Sequence, residues 1–155
     1  MGQLRQWGRF WSAFAALLVA AVGVHCAVAH AEPTVEELKA RLSSTSLRDR
    51  PHLCVHIAEL QMDEADKLYA SDDVTKAQNA LGDVVAYSEL ARDYAIQTHK
   101  YQKQTEIAVR GITRRLAELA HSLPHNYQAP LHDALNRLQK VRDDLLAAMF
   151  PQGAK

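Results

Sequence analysis

Residues 74–123 read VTKAQNALGDVVAYSELARDYAIQTHKYQKQTEIAVRGITRRLAELAHSL. Val74, Ala77, Leu81, Val84, Ser88, Ala91 and Ala95 recur at alternating steps of three and four. That spacing places them on one face of an α-helix. The same phase runs through polar Thr98, Gln102 and Thr105, then turns apolar again at Val109, Ile112, Leu116, Leu119 and Leu123. No proline interrupts the run, and Gly82 and Gly111 are isolated. Gln, Lys and Glu in the polar middle, residues 97–106, all propagate helices. The pattern predicts one long central helix over about 73–122, about 70 Å at 1.5 Å per residue. A break in the polar middle is the alternative. Sustained three-four spacing also predicts coiled-coil-like packing.

Shorter helical patterns flank this spine. Leu53, Ile57, Leu60, Glu64 and Leu68 step by three and four, and Pro51 suits a first helical turn. A helix over about 50–70 follows, ended by Ser71-Asp72-Asp73, which offers a new N-cap. Pro124 stops the spine, and Pro130 opens a last stripe through Leu131, Leu135, Leu138, Val141 and Leu145. Thr34-Val35-Glu36-Glu37 reads as a cap with acidic first-turn residues, predicting a short helix over about 34–43. No stretch alternates with period two. The predicted fold class is all-α, an antiparallel helical bundle or hairpin in which two shorter helices flank the spine.

Upstream lies a segment of another kind. Arg5 and Arg9 precede the uncharged, almost wholly apolar run from Phe10 to Val24. Ala29-His30-Ala31 then places small residues before Glu32. This order is that of a cleaved export signal over residues 1–31. An uncleaved anchor over 11–29 is the alternative, since about 19 apolar residues reach across a thin bilayer. The domain plan is therefore a signal at 1–31, a short helix and linker at 32–48, a helical domain at 49–150 and a flexible tail at 151–155. Export predicts a periplasmic or extracellular location, with no stable membrane span once the signal is removed.

The chain carries 18 Lys+Arg against 18 Asp+Glu. The signal holds two of the basic residues and none of the acidic ones, so the remainder is slightly acidic. No nucleic-acid partner is expected from that balance. The signal also takes Trp7, Trp11 and Cys26, leaving Cys54 as the one thiol and no internal disulfide. A helix interior supplies no base or oxyanion site to Cys54, although a lone exported Cys is a candidate for an intermolecular disulfide.

Cofactor and enzyme motifs are absent. There is no C-x-x-C-H, no phosphate-binding glycine loop and no nucleophile elbow. The reading is non-enzymatic, with no cofactor. His52 and His56 are the candidate metal ligands, because imidazoles at i and i+4 share a helix face. Cys54 lies about 200° around the helix from His52 and cannot join them. Candidate partner-binding residues are Tyr87, Tyr94 and Tyr101, seven residues apart, and Arg110 with Arg114. The tyrosines would line one edge of the spine, and the arginines share a face that Glu106 and Glu118 can answer.

Ala65, Leu68, Tyr69, Asp73, Val74, Ala77, Leu81 and Val84 resemble part of one tetratricopeptide hairpin. The resemblance implies a helix–turn–helix and no peptide-binding residues, since no second copy follows at a 34-residue period. The signal together with KQTEIAVR at 103–110 resembles uncharacterised small exported bacterial all-helical proteins, a resemblance that implies no activity. The expected function is protein–protein interaction or self-association in the cell envelope. The alternative is a metal- or ligand-binding envelope protein using His52 and His56.

Overall fold

The computed structural model describes residues 33–151, and the signal reading over 1–31 falls outside them. All regular structure among the described residues is helical. The order is α1 (Val35–Leu42), α2 (Arg50–Ala70), α3 (Val74–Thr98), α4 (Gln102–Ser122), a 3-10 turn (His125–Tyr127) and α5 (Gln128–Met149). No described helix is long and apolar enough to cross a membrane.

Local chemistry sets the ends. Thr34 and Glu37 form a reciprocal capping box that satisfies the first amides of α1. Pro51 sits in the first turn of α2, where its missing N–H costs nothing. The Asp73 side chain caps α3 by accepting from the Lys76 amide.

The single helix over 73–122 is not what forms. The chain turns at His99–Tyr101, where His99 has φ 53° and Tyr101 has φ 59°. Two left-handed residues flanking Lys100 end α3 and restart the chain as α4 in the opposite direction. The polar middle permits the turn because it holds no large apolar side chain that must stay in the core. Histidine enters the left-handed region more readily than most residues, whereas a tyrosine there is strained.

Side-chain pairs fix the directions. Arg115 of α4 meets Asp63 and Asp66 of α2 at 2.7 and 2.6 Å, and Tyr101 lies beside His52 and His56, so α2 and α4 run parallel. Glu89–Arg137 and Arg92–Asp144 make α3 and α5 parallel. The four long helices are thus two antiparallel hairpins, α2–α3 and α4–α5, stacked with α2 beside α4 and α3 beside α5. At the far end Tyr127 donates to Asp72, joining the two hairpin turns. Residues 65–84, which carry the tetratricopeptide resemblance, span the end of α2, the turn at 71–73 and the first part of α3.

One core runs between the hairpins. It includes Met62 of α2, Val84 and Val85 of α3, Val109, Ile112 and Leu116 of α4, and Leu131, Leu138, Val141 and Leu145 of α5. The short α1 closes over the first hairpin through buried Leu38, with Lys39 bonded to Asp83 at 2.8 Å and set over the Tyr87 ring.

The turn carries a measurable cost. His99 is exposed, so its side chain secures little. His99→Gly is expected to raise stability by about 0.5–1 kcal/mol, because glycine enters the left-handed region without a Cβ clash. Lys100→Gly, which relieves no such clash, should lower it. Urea denaturation followed by circular dichroism separates the two.

Candidate functional site

A groove opens where α2 begins and α4 restarts. It consists of two adjoining cavities of about 260 and 350 Å3 that share His52, His56 and Tyr101. The first is completed by Val55, Glu59, Gln104, Thr105 and Ala108. The second reaches the α1–α2 linker at Arg41, Thr45, Asp49 and Leu53.

Each wall has a local cause. His52 and His56 stand one helical turn apart near the start of α2 and project to the same side. Glu59 follows on that side. Tyr101 arrives by a different route: the left-handed turn that ends α3 aims its ring into the groove and leaves it 37% exposed. The Tyr101 carbonyl accepts from the Thr105 amide at 2.8 Å, tying the residue to the first turn of α4.

Arg50 anchors the third wall. Its guanidinium lies over the Tyr94 ring, 5.3 Å from the centroid, and donates to the Tyr94 hydroxyl at 3.4 Å. It also donates to the Thr45 and Ser43 carbonyls at 3.0 and 3.3 Å. One side chain thereby holds the linker that carries Thr45 and Asp49. Asp49 is fixed in turn by the Ser46 hydroxyl at 2.7 Å.

The predicted site residues separate into groups. His52, His56 and Tyr101 come together. Tyr87 and Tyr94 do not join Tyr101 in a strip, because the helix that would have carried all three ends at Thr98. Tyr87 holds α1 through Lys39, and Tyr94 holds the linker through Arg50. Arg110 and Arg114 lie on the exposed side of α4 and line neither cavity. Arg110 pairs with Glu106 at 3.6 Å and Arg114 with Glu118 at 4.0 Å. Sequence reasoning passed over Asp49, Glu59, Gln104 and the anchoring Arg50. Only Glu59 carried a usable signal, seven residues after His52 on the same helical side.

Among the described residues, no three His, Cys, Asp or Glu side chains come together as a metal-binding set. Cys54 is fully buried on the core side of α2, and burial pushes its thiol up to about 12 from an ordinary 9.0. A thiol so placed is neither a nucleophile nor free to bridge two folded molecules. The folded state therefore keeps the proton that the unfolded chain releases near pH 9. This contribution to stability is complete below pH 9 and drains away as pH rises toward 12, with a slope of at most about 1.4 kcal/mol per pH unit. Denaturation between pH 8 and 11 should show wild type losing more stability than Cys54→Ala, and thiol reagents should label Cys54 only on unfolding.

No protein-family model matches the chain, and neither the curated proteins nor the solved structures include a match.

Proposed function

We propose that this chain is an exported, non-enzymatic helical module of the cell envelope. It acts by protein–protein contact, engaging a segment of its partner in the groove between His52, His56 and Tyr101. The observation that carries this reading is convergence: three side chains from two separate stretches of sequence line one opening. The strain supports it. A tyrosine held left-handed costs on the order of 1–3 kcal/mol, and such outliers concentrate at binding sites. The groove also combines an apolar floor at Val55 and Ala108 with an aromatic ring and a few polar groups, the usual make-up of a recognition surface.

A photo-crosslinking side chain at position 101, compared with one at exposed position 132, tests this in producing cells. The expected result is a discrete adduct from position 101 alone, weakened by His52→Ala with His56→Ala. An adduct between two copies assigns self-association, and light scattering on the purified chain should then show a dimer. No adduct at position 101, or one unaffected by the histidine changes, overturns the groove as the contact site.

A further inference from the structure

We infer that His52 and His56 form a two-imidazole chelate for a borderline divalent transition ion, Cu2+ first and Ni2+ or Zn2+ after it. The inference stands without the protein partner proposed above. Both residues lie within α2, His52 in its first turn and His56 one turn further along. Their i, i+4 spacing on a formed helix sets the Cβ atoms about 5–6 Å apart on one face. Both side chains line both cavities, so they point into the same space. His52 is exposed and His56 is half-buried.

Among the described residues, no polar contact uses these imidazoles. Neither has a hydrogen bond or ion pair to another described residue, whereas the neighbouring Arg50 makes four separate contacts with the linker and Tyr94. The other paired spacing in the chain fails by contrast. His121 and His125 are also four residues apart, but α4 ends at Ser122 and His125 belongs to the following 3-10 turn. They share no helix face. His52 and His56 are the pair that the secondary structure presents together.

The donor set decides which ion fits. Two neutral imidazoles suit Cu2+, Ni2+ and Zn2+, with Cu2+ held most tightly. They do not suit Ca2+ or Mg2+, which demand oxygen. Cys54 is buried on the other side of the helix and adds no thiolate. With no third side chain converging, the remaining coordination positions face the groove and take water, or a donor from whatever occupies it.

Calorimetric titration of the purified chain with Cu2+ and with Ni2+, in a buffer that does not bind either, tests the inference. The chelate makes the second imidazole an intramolecular ligand, so losing either one should weaken this site by roughly a hundredfold. His52→Ala and His56→Ala should each show that loss, and the double variant little more. His132→Ala should bind as wild type does. Electron paramagnetic resonance of the Cu2+ complex should show two nitrogen ligands in wild type and a different spectrum in each single variant. Circular dichroism checks that all variants keep their helices. Equal affinity and identical spectra in wild type and the double variant overturn the inference.

Discussion

Leu138→Ala is expected to lower the free energy of unfolding by about 3–4 kcal/mol. Leu138 lies in the middle of α5 and is fully buried. It shares one continuous core with residues of the other three long helices, including Met62, Val84 and Leu116. Truncation removes the transfer free energy of the lost carbons and leaves a cavity that four packed helices cannot close without shifting together. Each kcal/mol moves the melting temperature of a domain this size by roughly 3–5 °C. The variant should therefore melt about 10–15 °C below wild type, with an unchanged denaturant slope. Leu146, eight residues on, is the control. It is 37% exposed, so Leu146→Ala should stay within about 1 kcal/mol. Chemical and thermal denaturation of both variants check this. A small loss at Leu138 would mean that α5 does not pack against the first hairpin.

Arg142→Ala is expected to cost about 2–3 kcal/mol, through charge rather than volume. Glu106 is a buried carboxylate at 6% exposure, and Arg142 donates to it from Nε at 3.2 Å across the α4–α5 interface. Removing the arginine leaves that carboxylate with only Arg110, which is exposed and 3.6 Å away. An uncompensated buried charge costs far more than a surface pair gains. Arg137, which makes two bonds to Glu89 at 3.0 and 2.9 Å but in partly exposed surroundings, should lose less than about 1 kcal/mol on the same change. Replacing Glu106 and Arg142 together by leucine should recover most of the loss, since no charge is then stranded. Urea denaturation of Arg142→Ala and of the double leucine variant checks both expectations.

Much of the helical content was legible from residue spacing. The stripes through Leu53, Ile57 and Leu68 and through Leu131, Leu138 and Leu145 correspond to α2 and α5, with ends close to those expected. Thr34, Pro51 and Asp73 marked helix starts through chemistry that acts over three or four residues. The turn at His99–Tyr101 was legible only as the alternative to a continuous helix, with its position inside residues 97–106 unmarked. Its three residues include neither glycine nor proline, and the three-four phase continues across it by coincidence of spacing. What bends the chain there is tertiary: stacking two hairpins buries both apolar faces, whereas a straight rod of that length would leave them half covered.

The candidate site was legible in pieces. The His52–His56 pair follows from helix periodicity alone. That Tyr101 belongs beside it follows from the turn, and so could not be read without it. Arg50 shows the same limit, because its role lies in reaching Ser43, Thr45 and Tyr94 at once, and no local pattern encodes that reach.

The order of packing along the chain bears on how quickly the fold can be reached. The two most extensive helix pairings join neighbours in sequence, α2 with α3 and α4 with α5, and the turns between them are short. Chains whose contacts close over such small loops search little before they meet, and helical proteins of this kind fold in microseconds to milliseconds. Either hairpin can therefore condense as soon as its own residues are free. The second hairpin then docks on a surface already formed, and among the described residues, where Cys54 is free, no disulfide has to be made first.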